Sequence, residues 1–359
     1  MASVTEGEFL VDMDSQKKLA RKNKAKLETI ARIQAAEISG EQLVQKIKVN
    51  VIAFEEQLTK DFPIEFDKKG WVIIPFADRN LYKTDYYFTV NIDKPSNLTE
   101  DGTVKDPVYD FVKSTGKPYM VCELSAFRQN SYKSDVDDWY FTLGWFNFMR
   151  TGFFNNNNCN ADRWEVISKA QNILVKDYRT DYHEKYALVC LQKVNDSTMA
   201  SLHTTYGKYR NWIMLVCNQI RNTYPRMPIV LRPHLRTKSA NYSHVLDNVQ
   251  RCTLSKTWEN RTYFEGGAGL QKDLDGAGFV VSYNSNVLTQ STLAGVPSIC
   301  WDIGSQSAPG CLDPSQLGNL REVYNIDRQQ WLNNLAYTQW TRAEIRDGRA
   351  WQHLNTYMF

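Results

Sequence analysis

The chain reads as an α/β protein built from two Rossmann-like domains with parallel sheets, preceded by helices. Three observations predict this. The 359 residues exceed the size at which one hydrophobic core usually stops growing, so two domains are expected. Short apolar, β-branched runs recur along the chain, and each ends in a polar loop, as buried parallel strands do. Between them lie stretches with apolar residues three to four apart, which gives the β-loop-α alternation of a doubly wound sheet.

Residues 1–50 differ from the rest. Lys17, Lys18, Arg21, Lys22, Lys24, Lys26 and Arg32 alternate with Leu19, Leu27, Ile30 and Ile33, a basic helical pattern with a thin apolar stripe. It suits either a solvated helix docked on a domain or an arm that grips a polyanion, with Lys22 and Lys24 as contacts. Ser39-Gly40-Glu41 breaks it before a second short helix expected to reach Ile52. Residues 51–183 form the first domain, with strands at 71–76, 87–91 and 118–123 and a helix near 108–114. The aromatic and Asn-rich section 138–160 reads as a loop near a surface or mouth.

The second domain, 184–335, is clearer. Strands are predicted at 186–192, 228–234, 278–286 and 295–302, with helices at 206–222 and 287–294. Gly266-Gly267-Ala268-Gly269 and Gly276-Ala277-Gly278 precede a strand and read as turns. Residues 336–359 read as helices packing back on the first domain, with Thr341 and Glu344 spaced as a capping box.

Composition narrows the function. With 43 basic and 40 acidic residues the net charge is +3, so any nucleic-acid footprint must be local. Seven cysteines without a C-x-x-C pair argue against a zinc site or disulfide framework and for a reducing compartment. No secretion signal is read at the start, and no apolar run approaches the ~20 residues needed to span a bilayer. P-loop and standard dinucleotide glycine patterns are missing.

Ligands in open α/β sheets sit beyond the carboxyl ends of the strands, and here those ends carry a consistent set. Lys193, Asn195, Asp196 and Ser197 follow one strand; Arg232, His234, Arg236 and Lys238 follow the next; Ser282, Asn284, Ser285 and Asn286 close a third, with Thr289 one turn into the following helix. Amides, hydroxyls and cations so placed suit a phosphate group. The plainer readings are helix capping for 284–286 and a structural histidine for His234. Three D-x-D triplets (Asp12/Asp14, Asp135/Asp137, Asp273/Asp275) have the spacing to hold Mg²⁺ on a diphosphate, but none follows a convincing strand, so no metal ligand is assigned.

Arg232-Pro233-His234, Asp275-Gly276-Ala277-Gly278-Phe279-Val280-Val281-Ser282-Tyr283-Asn284-Ser285-Asn286 and Ala294-Gly295-Val296-Pro297-Ser298 resemble the donor domain of GT-B glycosyltransferases, nearest to capsule and sugar-acid transferases. Leu235 follows His234 where that family usually has His-Pro. The helix carries Thr289, Gln290 and Thr292 where a ribose-binding glutamate is frequent. The remainder is similar to bacteriophage DNA glycosyltransferases, glucosyl or arabinosyl, that modify 5-hydroxymethylcytosine. The resemblance implies a GT-B-like fold with two sheets facing across a cleft. It implies a nucleotide-sugar donor, a UDP-sugar, bound by Lys193, Arg232, His234, Ser282, Asn284, Ser285, Asn286 and Thr289 with no required cofactor. It further implies a double-stranded DNA acceptor contacted by Lys22, Lys24, Arg128 and Lys133, no membrane, and work in the cytoplasm of an infected bacterium. An inverting enzyme needs a base from the first domain, and Glu123, at the end of the strand 118–123, is the first candidate, followed by Asp78 and Asp138. A transferase acting on a bacterial surface polysaccharide and a non-catalytic sugar- or nucleotide-binding protein are the alternatives.

Overall fold

In a computed structural model, the described residues are 47–58, 64–67, 69–90, 107–127, 139–145, 156–193, 197–199, 202, 209–234, 242–258 and 266–355. Lys22, Lys24, Arg128, Lys133, Asp138 and the triplets at Asp12 and Asp135 lie outside them. Lys48 and residues 77–83 belong to a small unit, and Val49–Phe76 with Thr84 onward to a large one that carries both sheets.

The first half supplies β1 (Ile47–Phe54), β2 (Trp71–Ile74), β3 (Tyr82–Val90), α1 (Pro107–Ser114), β4 (Tyr119–Leu124) and β5 (Tyr140–Trp145), then α2 (Asp162–Ala170). The second half supplies β6 (Tyr186–Cys190), α3 (Tyr209–Thr223), β7 (Ile229–Arg232), α4 (Ser243–Asn248), β8 (Cys252–Leu254), α5 (Gly266–Gly276), β9 (Ala277–Ser282), α6 (Val287–Leu293) and β10 (Ser298–Cys300). Then come α7 (Arg328–Ala336), β11 (Gln339–Thr341), α8 (Arg342–Arg346) and α9 (Arg349–Asn355). The result is the α/β arrangement of two parallel-rich sheets that the sequence predicts.

The second sheet has the order β10-β9-β6-β7-β8 with every pair parallel. Its strands are continuous apolar runs because helices cover both faces. From β6 the chain winds outward through β7 and β8, and from β9 it winds the other way to β10. The neighbouring ends of β6 and β9 therefore form a topological switch point, the position at which ligands of open α/β sheets sit. One core on this sheet gathers Val189, Trp212, Val216, Leu231, Phe279 and Val281; the other gathers Leu188, Leu274, Val280, Leu288 and Val296.

The first sheet has the order β11-β5-β4-β3-β1-β2. Pairs β1–β2 and β3–β4 are parallel, but β5 runs antiparallel to both β4 and β11. Thr84 Oγ1 bonds Asn50 O near the starts of β3 and β1, and Val90 N–H bonds Gln57 beyond their ends, so these two strands share one direction. The chain leaves β1 for β2 and leaves β3 for β4 on the opposite side, which makes a second switch point between β1 and β3.

Four expectations are corrected. The helix expected to reach Ile52 is strand β1, whose Val49, Val51 and Ala53 are buried; β-branched residues there pack against β2 and override the charge pattern. The sheets are not wholly parallel, because β5 and β11 form an antiparallel edge. The aromatic tract expected as a loop contains β5, with Phe141, Leu143 and Trp145 in the core. The glycines at 266–269 and 276 belong to helix α5, in which Leu270 and Leu274, four apart, bury one face under β6 and β9.

The C-terminus closes the first sheet. Gln339, fully buried, accepts from Ser125 Oγ, Ala126 N–H and Thr142 Oγ1 at 3.0 Å each. The capping box at Thr341 and Glu344 forms as predicted. Arg163 on α2 pairs with both carboxylate oxygens of Glu344, at 3.1 and 2.8 Å, and lies 3.8 Å above the Trp340 ring. Trp351 on α9 packs edge-on to Trp71 and Tyr86. A fourth cluster, with Phe127, Trp164, Leu293, Trp331 and Leu335, joins residues that follow β4 to α6 of the second sheet.

Candidate functional site

The loops leaving β6, β9 and β10 are held together by side-chain amides. Ser282, last in β9, gives its hydroxyl to Cys190 O at 2.8 Å and so fastens the end of β9 to that of β6. Asn284 is 1% exposed, and both ends of its amide are engaged. Its Oδ1 accepts from Gln192 Nε2 at 2.6 Å, while its Nδ2 donates to Thr198 O and Asp302 Oδ2, each at 3.0 Å. Its backbone N–H reaches Gln192 Oε1 at 3.3 Å. Asp302 in turn accepts from Gly304 N–H at 3.1 Å, which shapes the turn after β10. A buried amide costs free energy unless its hydrogen bonds are made, so this network fixes three loops in one geometry.

Next to Asn284, Asn286 behaves differently. It stands before α6 without a side-chain cap bond, so plain capping does not account for it. Its Oδ1 accepts from Gln306 Nε2 at 2.6 Å, and its Nδ2 and Gln306 Oε1 have no partner. The two residues are 5% and 3% exposed. Exchanging the ends of both amides again leaves one donor and one acceptor over. An unmade bond at a buried polar atom costs about 1–3 kcal/mol, and this pair carries one such donor and one such acceptor.

The other predicted donor residues separate into two groups. Ser285 is partly exposed, and its Oγ accepts from Val287 N–H at 3.3 Å. Thr289, fully buried, shares a hydrogen bond of 2.9 Å with Ser307 Oγ. Lys193 and His234, both half-buried, follow the adjacent strands β6 and β7, whose ends are joined by Leu191 N–H to Arg232 O at 2.8 Å. Arg232 does not reach out as a free strand-tip cation. Its Nη1 forms a buried ion pair with Asp273 and donates to Thr257 Oγ1 at 2.7 Å, and Ser255 Oγ donates to the same carboxylate at 2.6 Å. Asp273 thereby leaves the D-x-D reading: it is buried and paired on α5, while Asp275 is exposed. Among the described residues no three His, Cys, Asp or Glu side chains gather as metal ligands.

Cys190 and Cys300 lie under this region and are buried. Burial pushes the Cys190 thiol up to about 12, although Arg232 pulls it back, and burial likewise raises Cys300. Both stay protonated at neutral pH and are not nucleophiles.

The base candidates are in two places. Glu123 is buried near the end of β4, opposite Thr142 of β5, and its Oε2 accepts from Leu124 N–H at 3.1 Å. Asp78 belongs to the small unit and lies in the 3₁₀ turn Phe76–Leu81; burial first and the Asp78 charge second raise Tyr82. Gln192, Thr198, Asp302 and Gln306 were not among the predicted site residues. Two of them share a signal of position: Gln192 and Asp302 each stand two residues past the end of a strand.

No protein-family model matches the chain, and no curated protein matches it. Among solved structures it is similar to the β-Kdo 2,7 transferase of Thermosulfurimonas dismutans KpsC, at 12% identity and TM-score 0.45, over 86% of this chain and 99% of that one. The β-Kdo 2,4 transferase of the same protein matches at 12% identity and TM-score 0.46, over 81% of this chain and 91% of that one. A UDP-GlcNAc 2-epimerase of Methanocaldococcus jannaschii matches at 12% identity and TM-score 0.28, over 71% of this chain and 83% of that one. These TM-scores lie below 0.5, and the functional reading rests on the chain's own residues. Among the described residues no helix is long and apolar enough to cross a membrane.

Proposed function

We propose that the chain is a GT-B glycosyltransferase that takes a nucleotide-sugar donor, a UDP-sugar, at the β6/β9 switch point. Its acceptor is the hydroxymethyl group of 5-hydroxymethylcytosine in phage DNA, and the sugar is glucose or arabinose. The observation that carries the donor side is the buried Asn286–Gln306 pair, with one donor and one acceptor unmet at a switch point. A uracil edge, with N3–H beside a carbonyl, or two neighbouring sugar hydroxyls offers the complementary pair. Lys193 and His234, on adjacent strand ends, supply charge toward the diphosphate, and Ser285 a hydroxyl.

The transfer balances without a cofactor. The acceptor oxygen bonds to the anomeric carbon as the bond from that carbon to the diphosphate oxygen breaks. The acceptor proton goes to a carboxylate, for which Glu123 is the choice, and the nucleoside diphosphate leaves with the electron pair. Support for a DNA acceptor is the basic arm around Lys22 and Lys24 together with the basic and aromatic stretch from Arg128 to Lys133, whose phosphate contacts would weaken steeply with salt.

The test has two steps. A thermal-shift panel of UDP, CMP and GDP sugars identifies the donor; incubation with hydroxymethylcytosine DNA and nucleoside mass analysis then identifies the product. Asn286→Ala is expected to raise the donor Kd about tenfold, on the order of 1.4 kcal/mol. A UDP-sugar that is turned over only with a surface polysaccharide transfers the reading to that acceptor. No turnover of any sugar nucleotide overturns it.

A further inference from the structure

The first sheet repeats the device just described. Its switch point lies between β1 and β3, and the residue that spans the two strand ends there is Gln57. Gln57 follows β1 in a 3₁₀ turn, Glu55–Gln57, is 4% exposed, and accepts Val90 N–H from the end of β3 on its Oε1 at 3.1 Å. A backbone N–H can only donate, so this bond fixes which end of the amide is oxygen. The other end, Nε2, has no partner. Neighbouring Glu56 is already committed: both its oxygens accept Phe76 N–H, at 2.8 and 2.9 Å. The strand beside β3 is β4, near whose end stands Glu123.

We propose that Gln57 marks the acceptor site, where its amide N–H donates to an oxygen of the acceptor substrate. This rests on the glycosyltransferase reading and extends it to the first sheet. A buried donor left unmade is a standing cost of about 1–3 kcal/mol, and a site that must hydrogen-bond its substrate strongly rejects a partner lacking the complementary atom. The group Gln57 receives is an acceptor oxygen or ring nitrogen without a proton. The O2/N3 edge of a cytosine provides both kinds of acceptor. Gln57 thus positions the base whose hydroxymethyl oxygen attacks the sugar.

The test uses the full chain, the UDP-sugar chosen by the thermal-shift panel, and a duplex oligonucleotide carrying 5-hydroxymethylcytosine. Gln57→Glu keeps an oxygen for Val90 N–H and replaces the unmet donor by an acceptor; Gln57→Leu removes both. The expected result is a rise of at least tenfold in KM for the oligonucleotide with both variants, while the Kd for the UDP-sugar stays within twofold. An unchanged oligonucleotide KM in either folded variant overturns the proposal. So does a parallel loss of UDP-sugar affinity, which would mark a general structural role. If neither variant folds, the wild type labelled with ¹⁵N-glutamine decides: a shifted Gln57 side-chain amide on adding the oligonucleotide supports the site, and an unmoved one overturns it. Absence of any sugar-nucleotide turnover in the wild type overturns the glycosyltransferase reading and this site with it.

Discussion

Arg232 and Asp273 show how a side chain with the right charge in the right place can be spoken for. Position alone put Arg232 at a strand tip, where a cation suits a diphosphate. Its neutralising partner lies 41 residues further on, in a helix that the glycine-rich sequence disguised as a turn, and no local pattern connects the two. A buried pair is costly to break and cheap to replace whole. Arg232→Met or Asp273→Leu alone should lower unfolding free energy by about 3–5 kcal/mol, and the double variant should recover most of that. Urea denaturation of the four proteins measures the cycle; additive losses would show that the pair does not act as a unit. Asn284, Asn286 and Ser282 were legible as candidates because consecutive polar residues closed an apolar strand. Their partners Gln192, Asp302 and Gln306 were not, because they follow strands other than β9, Gln192 after β6 and the other two after β10, and only the sheet order brings them together.

Helix α6 carries its own stop signal. After Leu293, Gly295 N–H bonds Thr292 O at 3.2 Å and Val296 N–H bonds Ser291 O at 2.9 Å, a Schellman close that needs a left-handed residue. Gly295 has φ +70, and a Cβ there would lie 2.0 Å from Asp177 O. Gly295→Ala should therefore cost more than the ~1 kcal/mol of backbone strain alone, seen as a lower Tm, whereas Ala294→Gly one position earlier should cost less. The Gly-Val-Pro pattern made this end readable in advance.

Helix α9 gives the pH dependence. His353 Nε2 lies 3.0 Å from Asn156 Oδ1, and its ring stacks 4.8 Å from Tyr337. Burial first and Arg163 second push its pKa down to about 4. Below the unfolded value of about 6.5 the unfolded chain binds the proton and the native one does not, so stability falls as pH drops from 6.5 to 4. With solvent screening allowed for, the loss is on the order of 1–2 kcal/mol. His353→Gln, which retains a hydrogen bond to Asn156, should flatten that slope in urea titrations at pH 6.5, 5.5 and 4.5; an unaltered slope would place the proton elsewhere. By contrast β1 and β5 were missed, because charged and aromatic residues masked a period of two and only burial between neighbouring strands made them sheet.

The two halves of the chain differ in how much of them could be read ahead. In the second sheet every strand is followed by its own helix or loop and pairs in parallel, so the repeat in the sequence is the repeat in space. The first sheet borrows its edge strand β11 from 194 residues beyond β5, and no periodicity announces a contact that distant. Removal of residues 339–359 would delete β11, the Gln339 bonds to Ser125 and Thr142, and the Trp351 packing. Such a truncation is expected to lose the cooperative unfolding of the first half while the half around 186–300 keeps its own transition, followed by separate tryptophan fluorescence and circular dichroism melts. Coincident transitions at the wild-type midpoint would refute it.

Because Gln339 and Trp340 are needed to finish a sheet that begins at Ile47, order of synthesis and order of completion run in opposite directions. A ribosome delivers the whole β6–β10 layer before it delivers the last strand of the layer that started first. The first layer must wait, with one flank of β5 unpaired, until residues 339–341 have been made. A nascent chain stalled between Cys300 and Thr338 should accordingly engage chaperones through β5 and be released once Thr341 clears the exit tunnel.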